Sequence, residues 1–332
     1  MQLVRHSPGV PASARGGVIT IGNFDGVHLG HRAVVGAARR IASEMDAPLA
    51  AVTFEPHPRR YFQPDAPAFE LTPLRGKVRQ LDLLGIETVR LVHFDESVAT
   101  APAERFVEQV IVDGLEARHV VVGYDFVFGR GRSGNVELLT TLGADHGFAV
   151  TLIDPVKVEG GPVYSSTNIR ASLAGGDPVA AANLLGRCWE IEAKVVTGDQ
   201  RGRTIGFPTA NLSIDGYLEP AIGVYAIWAG IERADGADGT VWHMGCANIG
   251  RRPTFGGADV VVEAHLFDFA EDIYDQSLRV ALVDYLRPEQ NFSGIDELQV
   301  QIAEDCKAAR GLLQNISPGD LRAPPERSHA AA

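Results

Sequence analysis

The sequence predicts two architectures in series: a doubly wound α/β domain built on a parallel sheet, then an antiparallel β-barrel closed by a helix. From residue 17 to about 154, short and nearly continuously apolar β-branched runs alternate with helical patterns, as in a parallel sheet covered on both faces by crossover helices. After Gly186, strand patterns succeed one another across Gly, Asp and Pro clusters with no helix between them. The length of 332 residues, at roughly 150 per domain, allows two domains with a core each.

In chain order, the first half reads GVITIG then a helix over 33–44, PLAAVTF then 74–84, TVRLVHF then 103–113, RHVVVG then 136–146, and finally AVTLIDP. Two short helices follow over 168–173 and 178–184, the second with Asp177 as N-cap and Pro178 in the first helical position. The strands of the second half are WEIEAKVV, GVYAIWAGI, TVWHMGCANIG, DVVVEAHLFDF and SLRVALVDYL. A helix over 294–313 closes it, with Ser293 as N-cap and Glu297 near the capping-box position. The expected domains are 1–184 and 185–316, and 317–332 reads as a disordered tail.

Composition excludes several classes. With 45% hydrophobic and 22% charged residues, the chain is neither fibrous nor disordered. Its net charge of −12, from 30 Lys and Arg against 42 Asp and Glu, opposes non-specific binding to nucleic acid or an anionic membrane. Phosphate recognition must then be local. Cys188, Cys246 and Cys306 lie far apart in sequence, without zinc-site spacing or disulfide density, which fits a reducing cytoplasm. No apolar stretch approaches the roughly 18 residues of a membrane helix, and Arg5, Pro8 and Pro11 stand where a signal peptide would carry its apolar core. No protein partner is evident.

The most informative segment is GNFDGVHLGH, residues 22–31, between the first strand and the first helix, where open α/β sheets bind ligands. Gly22, Gly26 and Gly30 permit close backbone approach, and the helix start offers N–H groups to an anion. His28 and His31, three apart, share a face as the helix begins, so both can donate to one phosphate. The plainer alternative is a Gly-rich turn with two surface histidines. Neither GxxxxGK[ST] nor GxGxxG is present. SSTNIR, residues 165–170, opens another helix; its hydroxyls suit caps, while Arg170, one turn in, is a planar donor suited to phosphates.

In the second half, GDQRGRTIGFPTANL spaces Gly198, Gly202 and Gly206 four apart ahead of Pro208, Thr209 and Asn211. A plain hairpin would also look like this. Thr209 supplies a hydroxyl suited to Mg²⁺ beside nucleotide phosphates, and Asn211 a neutral amide oxygen. Strand alternation places Val261, Glu263 and His265 on one face, so Glu263 points either to solvent or into a site.

Together GNFDGVHLGH and SSTNIR resemble the HxGH nucleotidyltransferase superfamily. TFEPHPRR and VVGYDFVFGRGRSG narrow the resemblance to the adenylyltransferase module of prokaryotic bifunctional riboflavin kinase/FAD synthetases. GRTIGFPTANL, GVYA, ANIGRRPTF and VEAHLFDF resemble the kinase module of the same family, and the motifs run in order from about 17 to 316. The resemblance implies phosphorylation of riboflavin to FMN in the second domain and adenylylation of FMN to FAD in the first, with ATP and Mg²⁺.

By the same resemblance Asn23, His28 and His31 hold the ATP phosphates in a loop that includes Gly22, Phe24, Asp25, Gly26 and Gly30. Ser165, Ser166, Thr167 and Arg170 grip them from the other side. Flavin and adenine contacts fall on Phe54, Pro56, His57, Pro58, Gly123, Asp125, Phe126 and Phe128. For His57 the alternative is an exposed imidazole on a rigid loop, and for Asp125 a turn cap. The kinase site comprises Gly198, Gly202, Arg203, Gly206, Phe207, Pro208, Thr209 and Asn211, with Thr209 and Asn211 toward Mg²⁺ and Glu263 as general base. Two departures from the family wording are Asn168, where a basic residue is common, and Cys188–Trp189, where proline and an aromatic are frequent.

Overall fold

The computed structural model describes residues 1–5, 10–157, 161–198, 202, 205–232, 239–254 and 257–318, with only the backbone described over 252–254 and 257–259. Arg203 and 319–332 therefore lie outside the described residues, and with them the predicted role of the one and most of the predicted tail. The chain forms two compact units, Met1–Pro67 with Pro73–Tyr164, and Ala68–Thr72 with Ser165–Ala332.

The first unit contains β1 (Gln2–Arg5), β2 (Val18–Ile21), α1 (Leu29–Glu44), β3 (Leu49–Glu55), α2 (Pro58–Phe62), α3 (Leu74–Leu83), β4 (Thr88–His93) and α4 (Glu96–Ala99). Then come α5 (Ala103–Phe106), a π-helical stretch over Val107–Val112, α6 (Asp113–Leu115), β5 (His119–Gly123), α7 (Val136–His146) and β6 (Ala149–Ile153). The expected helix over 103–113 is thus a composite with a widened middle. The six strands form one sheet in the order β1-β4-β3-β2-β5-β6, parallel throughout.

Its two-sided burial follows from residue alternation. Ile19, Val52 and Val120 pack into one core with Phe106 and Leu139, while Val18, Ala51 and Val121 pack into the other with Val35, Ala38 and Leu81. β1 was not expected: it is an edge strand in which only Val4 is buried, so it lacks the continuous apolar run of its neighbours. Beside β2 the sheet changes direction, because β3 and β4 extend to one side and β5 and β6 to the other. In open α/β sheets ligands bind at such a switch point, outside the carboxyl ends of the strands, here those of β3, β2 and β5.

The second unit holds α8 (Ser166–Ala174), α9 (Pro178–Leu185), β7 (Trp189–Lys194), β8 (Ala210–Ser213), β9 (Gly223–Glu232), β10 (Thr240–Thr254), β11 (Gly257–Leu266), β12 (Ser277–Arg287) and α10 (Ile295–Leu313). Asp177 caps α9 by accepting from the Ala180 N–H at 2.9 Å, as its sequence position predicts. All strand pairs are antiparallel, in the order β7-β12-β9-β10-β11-β8. Beyond β7, the Val196 N–H donates to the Asn211 carbonyl at 2.8 Å, so the two edges of the sheet meet and the sheet curls into a barrel.

Helix α10 covers one face of this sheet, packing Ala309 and Leu313 against Val224, Ala226 and Val283. The ion pair between half-buried Arg287 and buried Asp305, 2.7 Å, ties it to β12. Its N-cap is Gly294 rather than the expected Ser293. Ser293 instead donates its N–H and hydroxyl to the Glu297 carboxylate, which reaches back as in a capping box but one residue further. The cysteines that look isolated in sequence are not all so in space, since Cys246 on β10 and Cys306 on α10 bring their sulfurs to 3.9 Å. Segment 68–72 joins this unit through Trp189 Nε1 donating to the Leu71 carbonyl at 2.7 Å and the Leu218 N–H donating to the Glu70 carbonyl at 2.8 Å.

Candidate active sites

The switch point brings three of the predicted motifs to the carboxyl ends of adjacent strands. GNFDGVHLGH leaves β2, TFEPHPRR ends β3 and GYDFVFG leaves β5, and β2 lies between the other two strands. After β2 the backbone enters the left-handed region at Phe24 (φ 48°), Gly26 (φ 86°) and Val27 (φ 42°). For Phe and a β-branched Val this conformation is strained by about 1–3 kcal/mol each. Burial of both side chains to 1% exposure holds it in place.

The loop delivers His28 as the N-cap of α1, where its Nδ1 accepts from the His31 N–H at 3.3 Å. An accepting Nδ1 leaves the proton of a neutral imidazole on Nε2, so His28 presents an N–H donor. The His31 ring stacks on it with centroids 3.7 Å apart and planes at 20°, and Phe24 meets His31 edge-on at 5.4 Å. Gly30 makes room for this stack, because a Cβ there would lie 3.0 Å from His28 Cε1 and 3.2 Å from the Tyr164 carbonyl. The helix therefore begins at Leu29, earlier than the expected 33, with two imidazoles at its positive end.

At β3 the Glu55–Pro56 peptide is cis, and His57 caps α2, its Nδ1 accepting from the Arg59 N–H at 3.1 Å. His57 is buried at 8% exposure, so it is not the exposed imidazole considered as one alternative. From Phe54, at the end of β3, runs a chain of aromatic contacts. Phe54 meets Phe94 (5.9 Å) and Phe106 (6.2 Å); Phe106 meets Phe128 (5.7 Å), and Phe128 stacks on Phe126 (5.4 Å). Tyr61 and Phe62 extend it through Phe94 at 5.5 and 5.8 Å. Sequence reasoning found Phe54, Phe126 and Phe128 but not Tyr61, Phe62, Phe94 or Phe106. Phe62, 64% exposed, carries the one signal available, a large aromatic with no core to enter. Asp125 is exposed in the turn after β5.

SSTNIR starts α8 in the second unit. Ser165 is its N-cap and accepts from the Asn168 N–H at 3.2 Å, the capping role weighed for these hydroxyls. Arg170 is half-buried, donates from Nε to the Phe69 carbonyl at 2.8 Å, and lies 5.5 Å from the Phe69 ring centre.

On the barrel, strand register puts Glu263 directly opposite Asn211 on β8 and Asn248 on β10. Directly opposed residues share a face, so a carboxylate stands in a row between two amides. Asn248 Nδ2 donates to Glu289 at 3.1 Å, and Asn211 is buried. The glycines that precede the row each accommodate one of its neighbours. A Cβ on Gly198 would sit 2.5 Å from the Asn211 amide group, and one on Gly202 would sit 2.3 Å from the Phe207 carbonyl and 3.5 Å from Thr209 Oγ1. Gly206 holds φ at 88°. The loop folds back on itself through Phe207 N–H donating to the Gly202 carbonyl at 2.8 Å.

A family model described as FAD synthetase matches residues 10–168, and one described as riboflavin kinase matches residues 185–313. A bifunctional riboflavin kinase/FMN adenylyltransferase of Escherichia coli K12 is 40% identical over 92% of this chain and 96% of its own length. One from Bacillus subtilis 168 is 37% identical over 90% and 93%. Among solved structures, a Streptococcus pneumoniae protein described as a macrolide-efflux protein is 30% identical, with a TM-score of 0.81 over 96% of this chain and all of that one. Among the described residues here, no helix is long and apolar enough to cross a membrane.

Proposed function

The chain belongs to the bifunctional riboflavin kinase/FMN adenylyltransferase family, and from that membership we propose which residues carry each half of its activity. The enzyme phosphorylates riboflavin to FMN and adenylylates FMN to FAD, consuming ATP at both steps.

In the kinase step Glu263 is the general base. It takes the proton of the riboflavin 5′-hydroxyl as that oxygen attacks the γ-phosphorus, and the bond to the β-phosphate oxygen breaks to release ADP. The observation that carries this assignment is the Asn211–Glu263–Asn248 row, which sets the carboxylate beside the neutral amide oxygens that suit a nucleotide-bound cation. Thr209 Oγ1 and the side-chain amide oxygen of Asn211 fit Mg²⁺, which takes few protein ligands and keeps water and phosphate oxygens for the rest. The close seat of Asn211 against Gly198 supports that fit. When bound, Mg²⁺ neutralises charge on the phosphates. Gly206, Phe207 and Pro208 are assigned to the loop around ATP and flavin, and Arg203 to the same site on the family resemblance alone.

In the adenylyl step an FMN phosphate oxygen attacks the α-phosphorus of ATP and pyrophosphate leaves. Such in-line displacement needs positioning and neutralisation rather than covalent catalysis. Asn23, in the loop after β2, and His28 and His31, at the start of α1, hold the phosphates and donate to the charge that builds. Ser165, Ser166, Thr167 and Arg170 are assigned to the same nucleotide on the family resemblance. Phe54, Pro56, His57, Pro58, Gly123, Asp125, Phe126 and Phe128 shape the flavin site, with Phe62, Phe94 and Phe106 added from the aromatic chain.

We place the enzyme in the cytoplasm with small-molecule partners, which its three free cysteines and net charge of −12 support. Glu263→Gln tests the kinase assignment. Kinase turnover is expected to fall about 10²–10⁴-fold while FAD formation from supplied FMN persists; equal loss of both removes the role of Glu263.

A further inference from the structure

The segment that presents Thr209 is held by hydrogen bonds to its carbonyls from two separate elements. Gln299 Nε2 on α10 donates to the Ile205 carbonyl at 3.1 Å. His265 on β11 lies with Nδ1 2.7 Å from the Pro208 carbonyl oxygen. A carbonyl has no proton to give, so Nδ1 carries it. The same ring meets Phe207 edge-on at 5.6 Å and Phe267 at 5.8 Å, which fixes its plane.

The carbonyl that His265 holds belongs to the peptide linking Pro208 to Thr209. Pro208 already fixes its own φ near −65° through its ring. Anchoring its carbonyl fixes the remaining freedom of that peptide plane, and with it the direction from which Thr209 projects. His265 is also two residues from Glu263 on one strand, on the same face. A single strand thus supplies the carboxylate for the flavin hydroxyl and the imidazole that sets the hydroxyl donor for the metal–nucleotide.

We propose that His265 is a positioning residue of the kinase reaction, whose Nδ1–H holds the Pro208–Thr209 peptide so that Thr209 Oγ1 meets the Mg²⁺-bound phosphates. The proposal rests on the reading of Thr209 and Asn211 as the Mg²⁺-facing pair. It makes a stereochemical prediction, because in Asn the amide nitrogen branches from Cγ as Nδ1 does in His, whereas the Gln amide lies one bond further out.

The test uses the full-length protein and calorimetric titration with ADP, with and without Mg²⁺, alongside the kinase KM for MgATP. His265→Ala and His265→Gln are expected to weaken MgADP binding about 10-fold and to raise the KM by a similar factor. Mg²⁺-free ADP binding changes little, and FAD formation from FMN is unaffected. His265→Asn recovers most of the loss. If the Ala variant fails to fold, the comparison of Gln with Asn decides. Wild-type MgADP affinity and KM in the Gln variant, or equal losses in Asn and Gln, overturn the proposal. Thr209→Ala separates the premise from the inference. If it leaves Mg²⁺-dependent ADP binding intact, the reading of the metal-facing pair fails and takes the proposal with it. If it abolishes that increment while His265→Gln does not, the role of His265 alone fails.

Discussion

The role proposed for Glu263 rests on its place in the register rather than on its own burial, since it is only partly covered and flanked by two amides across the strands. The paired imidazoles are set just as locally, because His28 accepts from the backbone of His31 and stacks on its ring. His31→Ala is expected to cut FAD formation about 10²–10³-fold without touching riboflavin phosphorylation, as separate assays on riboflavin and FMN would show. The cysteines differ in reactivity for equally local reasons. Burial pushes the Cys188 thiol up to about 12, whereas a hydrogen bond from Cys246 holds the Cys306 thiol below its usual value. The thiolate is the nucleophile, so iodoacetamide near pH 8 is expected to label Cys306 ahead of the buried Cys188 by peptide mass spectrometry. Labelling of Cys188 ahead of Cys306 would contradict that order.

At the scale of elements, glycine placement governs both loops. Gly198→Ala would drive a Cβ into the Asn211 amide, 2.5 Å away. Riboflavin phosphorylation is expected to fall about 10-fold or more, with a higher Mg²⁺ requirement, because the displaced group is a proposed metal neighbour. Unchanged Mg²⁺ dependence would argue against the role of Asn211. The long apolar strands and both His and Gly loops are legible in sequence because period and punctuation coincide there. The edge strand β1 and the four-residue β8 are not, since one lacks a buried run and the other follows Pro208 inside a loop motif. The attachment of 68–72 to the second unit rests on backbone carbonyls accepting from Trp189 and Leu218, which leave no pattern in composition. The aromatic chain was half legible: Phe54, Phe126 and Phe128 lie in motifs, whereas Tyr61, Phe62, Phe94 and Phe106 come from α2, α5 and the end of β4, joined only by the fold.

For the whole molecule, a net charge of −12 sets a field that opposes ATP and FMN, so the proposed sites draw on local groups: a helix terminus, loop N–H groups, a few side chains and the proposed Mg²⁺. ATP affinity is accordingly expected to depend strongly on Mg²⁺ and weakly on added salt in equilibrium titrations. A steep rise at low salt without Mg²⁺ would point to a diffuse cationic surface instead. The two proposed sites belong to different strand topologies, one at the carboxyl ends of a parallel sheet and one on the face of an antiparallel barrel, and share no assigned residue. The most direct test of that division is chromatographic resolution of flavins formed from riboflavin or FMN with ATP and Mg²⁺ by three forms of the enzyme. Wild-type protein should convert riboflavin to FMN and then FAD, Glu263→Gln should make FAD only from added FMN, and His31→Ala should stop at FMN. Loss of both products in either variant would contradict two separable active sites.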